Sequence, residues 1–164
     1  MPKLSALIHT HNDAEHLPRV LESLKCCSDV LLIDDNSDDD SQRIARKYGA
    51  RSKNAIPGVT PGAYAFDTYH DWVLVVRPSE VVSDRLAQSI EEWMQGDKHD
   101  EHSGYAFAVQ ERQGSETVDR GTEMRIVNRR KINWTGELPP NSTAAPQLEG
   151  ELIRYVEWEQ EQAA

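Results

Sequence analysis

Leu31-Leu32-Ile33-Asp34-Asp35-Asn36-Ser37-Asp38-Asp39-Asp40-Ser41 is the stretch on which the fold turns. Three aliphatic residues run without a break into acidic and turn-forming residues, and a segment with helical spacing follows. A short, continuously apolar strand suits a parallel sheet covered on both faces. In open α/β sheets, ligands bind outside the carboxyl ends of such strands. A carboxylate at that lip can accept a hydrogen bond from a ring N–H or a ribose hydroxyl. Asp34 and Asp35 are therefore the candidates for reading a nucleotide. The competing reading is local: Asp38, Asp39 or Asp40 caps the next helix.

Outward from this stretch, Leu4 to Thr10 reads as a buried strand, and Asn12-Asp13-Ala14-Glu15 as a polar turn with capping character. Leu17, Val20, Leu21 and Leu24 share one face of a helix, with Pro18 in its first turn. Ser41 to Tyr48 predicts a second helix with Ile44, Ala45 and Tyr48 inward and Gly49 as its stop. Residues 50–53 form a weak third strand, and 54–63, with two prolines and two glycines, a loop. Trp72 to Val76 is a further strand. Ser83 to Met94 is a helix burying Leu86, Ile90 and Trp93, and residues 97–102 are a solvated turn. Tyr105 to Gln110 and Glu123 to Asn128 alternate as strands, with a polar, mobile segment at 111–122. Ile132 to Thr135 reads as a short strand, and residues 148–158 stay open between an edge strand and a helix.

This order predicts an α/β fold of three layers, α/β/α, with a mostly parallel central sheet and a short mixed β extension. Residues 1–158 form one domain and 159–164 a polar tail; 164 residues suffice for one core. A net charge of -10 repels a phosphate backbone and argues against nucleic acid as partner. A free nucleotide stays within reach, because a helix N-terminus can hold a phosphate against the global field. Cys26 and Cys27 are adjacent and match neither a zinc knuckle nor a CxxC redox pair. No signal peptide or transmembrane segment is legible, so a cytoplasmic location is expected. His9 and His11 alternate on one face, and with Asp13 or His16 they read either as a transition-metal site or as ordinary pocket residues. No P-loop, nucleophile elbow or dinucleotide fingerprint is present. The basic run Arg129-Arg130-Lys131 reads as a hairpin tip.

Taken together, these motifs resemble the family 2 glycosyltransferases of the GT-A fold, nearest the bacterial branch that adds hexoses to lipopolysaccharide cores and envelope glycans. The resemblance covers roughly residues 3–138 and rests on four matches. Leu4-Ser5-Ala6-Leu7-Ile8-His9-Thr10-His11-Asn12-Asp13 is similar to the family's first strand and turn, and residues 17–24 to the helix after it. Ile33-Asp34-Asp35-Asn36-Ser37-Asp38-Asp39 is similar to its Asp-Asp-Gly-Ser-Thr-Asp turn, and residues 44–50 continue the match. The resemblance implies a nucleotide pocket at Thr10, His11, Asn12, Asp34 and Asp35, and a UDP-sugar as donor. It further implies a glycan or lipid-linked acceptor. A homodimer is also expected.

Three departures stand out. Where the family carries its DXD motif, this chain reads Asp71-Trp72-Val73-Leu74-Val75-Val76-Arg77-Pro78-Ser79-Glu80. Hard divalent cations want carboxylate oxygens, so no metal ligands are assigned and a divalent cation is not expected there. Arg77, with Ser79, becomes the candidate clamp for the diphosphate, because guanidinium offers fixed charge and several donors. The preceding segment, Gly62 to Asp67, lacks the family's basic residue. Inverting transfer also needs a carboxylate base, and Glu137 is the only carboxylate near the matching segment. Two functions follow: a hexosyltransferase, or a catalytically inactive GT-A-fold binding or partner module that lacks the DXD and the base. A nucleotidyltransferase is a third, disfavoured by the absence of a glycine-rich basic loop.

Overall fold

The computed structural model describes residues 3–97 and 99–163. Among them, eight strands form one sheet in the order β3-β2-β1-β4-β7-β6-β8-β5. β1 (Leu4–Thr10), β2 (Asp29–Asp34), β3 (Arg51–Asn54) and β4 (Trp72–Val76) are mutually parallel. β5 (Glu80–Val82), β6 (Gly104–Gln113), β7 (Glu116–Asn128) and β8 (Gln147–Tyr155) form the mixed half, joined through the antiparallel β4–β7 pair.

The period of two along β1 and β4 divides the core between two faces. Leu4, Ala6 and Ile8 of β1 and Leu74 and Val76 of β4 pack under α1 (Leu17–Glu22), α2 (Ser41–Lys47) and α3 (Asp84–Gln95). Leu7, Val73 and Val75 face the other way, against Tyr64 and Ala65 of a 3-10 helix, Pro61–Asp67, with Trp134 and Leu138 beyond. The 3-10 helix lies so near residue 134 that a Cβ at Gly62 would strike the Trp134 carbonyl. Ser83 caps α3, its hydroxyl accepting from the Leu86 N–H at 3.1 Å.

The α/β class and the parallel half are as expected, and the differences are informative. Residues 111–122 are the outer part of a long β6–β7 hairpin that turns at Gly114 (φ +60°). Their polarity reflects exposure on both faces, not missing structure. That tip lies far from Arg129, whose guanidinium instead binds Asp71 and the Thr68 carbonyl. Residues 132–135 form no strand. Tyr48 is exposed at the end of α2, and buried Ser41 takes an inward position instead. The stretch 148–158 is strand and helix in succession: β8 ends at Tyr155, and α4 (Val156–Ala163) begins at once. Residues 159–163, expected as tail, belong to that helix; Ala164 lies outside the described residues. Residues 97–102, expected as a solvated turn, include His99, half-buried edge-on against Trp93 at 5.5 Å; Lys98 is not among the described residues.

Candidate functional site

The strand order reverses between β1 and β4: β2 and β3 extend the sheet on one side of β1, β4 on the other. Crevices open at such switch points, beyond the strands' carboxyl ends. Here the crevice is a cleft of about 680 Å³, lined on one side by Thr10, His11 and Asp35 and on another by Arg77, Pro78 and Ser79.

Two asparagines in the left-handed region, Asn12 (φ +54°) and Asn36 (φ +56°), fold the lips of β1 and β2. Asn12 binds across the gap, donating its N–H to Ser37 Oγ at 2.9 Å and accepting from the Asp38 N–H at 2.8 Å. The Asp35 N–H donates to the Thr10 carbonyl at 2.8 Å. His11 Nδ1 lies 2.6 Å from the Asp35 carbonyl. Thr10 Oγ1 donates to Asp13 at 2.5 Å. Burial pushes the Asp13 carboxyl up and the nearby Asp39 adds to that, against hydrogen bonds from Thr10 and the His11 N–H.

The paired aspartates take different roles. Asp34 is buried and spent locally: it accepts from the Ser37 hydroxyl, from the Ser37 N–H at 3.3 Å and from Gln42 Nε2 at 2.7 Å. Asp34 and Asn12 shape the lip without lining the cleft, whereas exposed Asp35 lines it. Of the later aspartates, Asp39 binds the start of α2, accepting from the Ser41 N–H at 3.0 Å. Asp40 occupies the N-cap position without a side-chain hydrogen bond.

Beyond β4, the Glu80 carboxylate turns inward. Arg125 of β7 grips it with two hydrogen bonds, 2.8 and 2.7 Å, and also donates to the Val75 carbonyl at 3.0 Å. Glu80 accepts as well from the Arg77 N–H at 2.6 Å. Both side chains are almost fully buried, at 2% and 0% exposure. Burial lowers the pKa of Arg125, and Glu80 together with Glu123 more than restores it. Glu80 is thereby committed, and among the described residues no group of three or more His, Cys, Asp or Glu is placed to hold a metal ion. This includes His9 and His11.

Other wall residues include two that the sequence singled out, His9 and Glu137, and two that it did not, Trp158 and Glu159. His9 lies half-buried at the base of the cleft, its ring 5.9 Å edge-on from Tyr64, with Nε2 buried and without a hydrogen-bond partner. Burial lowers its pKa, while Glu137, the Pro61 carbonyl and Asp35 pull it back up. Exposed Glu137 lines the same cleft. Trp158 and Glu159 of α4 close one side. Trp158 stacks on His16 at 4.3 Å and on Tyr155 at 4.2 Å, and Arg19 lies over the Tyr155 ring at 4.7 Å. One signal was legible: an arginine between Met124 and Ile126 in a strand asks for a carboxylate partner. Nothing local announced Trp158.

An uncharacterised glycosyltransferase of Rickettsia conorii is 32% identical over 111 residues, covering 65% of this chain and 39% of that protein. A second, from Rickettsia felis, is 31% identical over 113 residues, covering 66% and 40%. The chain is glycosyltransferase-like. It spans about 39% of the length of the curated relatives it matches. No family model matches it. A solved structure of glucosyl-3-phosphoglycerate synthase from Mycobacterium tuberculosis, in complex with Mn2+, UDP-glucose and phosphoglyceric acid, overlaps this glycosyltransferase-like chain with a TM-score of 0.49. That overlap has 19% identity and covers 69% of this chain and 45% of the other.

Proposed function

We propose that this chain is a family 2 hexosyltransferase, or the donor-binding portion of one, with a degenerate DXD motif. It binds a UDP-sugar in the cleft at the ends of β1, β2 and β4. The supporting observation is the convergence of Thr10, His11, Asp35, Arg77, Ser79 and Glu137 on that one cleft. Asp35 accepts a hydrogen bond from the base or ribose, and Thr10 and His11 shape the pocket beside it. Arg77 and Ser79 face the diphosphate. A fixed guanidinium can neutralise the departing diphosphate directly, so no divalent cation is assigned.

The acceptor hydroxyl gives its proton to the Glu137 carboxylate, and its oxygen attacks the anomeric carbon from the face opposite the diphosphate. The bond from that carbon to the diphosphate oxygen breaks with inversion, and the diphosphate leaves with the electron pair beside Arg77. The acceptor class is a glycan, or a lipid-linked glycan, of the cell envelope.

Calorimetric titration of UDP, UDP-glucose and GDP, each with and without Mn2+, tests the reading. Uridine nucleotides should bind without Mn2+, and Arg77→Ala should weaken UDP far more than uridine. Binding that appears only with Mn2+ would mean that the metal ligands lie elsewhere. No binding under either condition would reject the donor cleft.

A further inference from the structure

One anion in the cleft has no part in this scheme: the carboxylate of Glu159 on α4, beside Arg77, Pro78 and Ser79. Its Oε2 accepts from Ser79 Oγ at 3.1 Å and from Arg154 Nε at 2.6 Å, and its Oε1 accepts from Arg154 Nη2 at 2.5 Å. Burial pushes this carboxyl up, but Arg154, Ser79 and the charge of Arg77 more than reverse that and hold it below the ordinary glutamate value. Arg77 contributes charge only; its Nε is buried with no hydrogen-bond partner.

A forked guanidinium, a hydroxyl and a second guanidinium converging on two oxygens would hold a phosphate equally well. They do so in a chain of net charge -10, where an unassisted phosphate would be repelled. Arg154 does not itself line the cleft but lies behind Glu159, and it also binds Glu111 at 3.2 Å, so its head keeps one anchor if Glu159 leaves. The stack of His16, Trp158 and Tyr155 holds α4, and with it Glu159, against the cleft.

We propose that Arg77, Ser79 and Arg154 form a phosphate subsite, that Glu159 occupies it in the ligand-free chain, and that the phosphates of a nucleoside diphosphate displace it. This rests on the donor-cleft reading above and adds Arg154 as a phosphate contact and Glu159 as an internal competitor. The observed affinity for a diphosphate is then reduced by the fraction of molecules in which Glu159 is seated. A nucleoside without phosphates does not meet that competition.

The test compares UDP with uridine by calorimetry, using the wild-type chain, Glu159→Gln, and Glu159→Gln combined with Arg77→Ala. UDP should bind roughly fivefold tighter or more to the single variant, uridine should bind both proteins alike, and the double variant should lose the gain. Inorganic pyrophosphate should compete with UDP, and more strongly in Glu159→Gln. If UDP binds the single variant no better than wild type while uridine still binds, the competitor role is overturned and the donor cleft stands. If neither ligand binds a variant that melts as the wild type does, and neither binds the wild type, both readings fall. Should Glu159→Gln melt well below wild type, Ser79→Ala provides the second arm. It leaves the Arg154 fork on Glu159 intact and should weaken pyrophosphate without affecting uridine. An unchanged pyrophosphate affinity there counts against the subsite.

Discussion

The turn after β2 and the turn after β4 each carry a buried carboxylate at the mouth of the same cleft. Asp34 is satisfied by near neighbours and neutral donors, Ser37 three residues on and Gln42 eight residues on. Glu80 takes the Arg77 N–H from nearby, but its charge is met by a charged donor 45 residues away, on a strand that pairs with β4. Both turns present an exposed or half-buried charge of opposite sign to the cleft, Asp35 from one and Arg77 from the other. A turn can thus be built from its own sequence or from the completed sheet.

The sharpest way to break the comparison is Arg125→Met. It leaves the Glu80 charge buried without a partner and should cost about 3–5 kcal/mol in urea unfolding. Adding Glu80→Gln should recover part of that loss, and a single variant as stable as wild type would show that the pair is not dry. Asp34→Ala removes an acceptor shared by neutral donors, so the loss should be smaller, about 1–3 kcal/mol. A larger loss from Asp34→Ala than from Arg125→Met would invert the contrast. Asp35→Ala should change stability by no more than about 0.5 kcal/mol. It should nonetheless weaken UDP about tenfold, or about 1.4 kcal/mol. Equal UDP affinity in that variant would move the base pocket elsewhere.

The smallest effect concerns His9. Its folded pKa is depressed below the ordinary 6.5, so the neutral ring stabilises the fold above pH 6.5. That contribution is lost as pH falls through the lower folded value. His9→Gln should therefore show a shallower loss of melting temperature than wild type on acidification below about pH 6.5. Identical slopes would mean that water reaches the ring.

What was legible in the sequence follows the same division. The strands Leu4–Thr10, Asp29–Asp34 and Trp72–Val76 are mostly apolar and mostly buried on both faces, so pattern and structure agree. The place of Asp35 at the cleft was legible because it follows from position at a strand end. The β6–β7 hairpin was read too short because residues 111–122 have few apolar side chains, and ladder hydrogen bonds leave no trace in composition. The role of Glu80 could not be read locally, since its partner is remote. Trp158 and Glu159 reach the cleft only because α4 turns back directly after β8. That is a tertiary event with no local signature.

The Arg125–Glu80 pair also bears on how this turn can change by inheritance. Replacing either residue alone leaves the other charge stranded in the core, so the two positions are coupled in fitness. Freeing Glu80 to serve a new purpose at the lip would first require losing Arg125, and that intermediate is the least stable member of the series. The pair therefore acts as a lock on the β4 turn: recruiting Glu80 to the lip carries the stability cost of losing its partner.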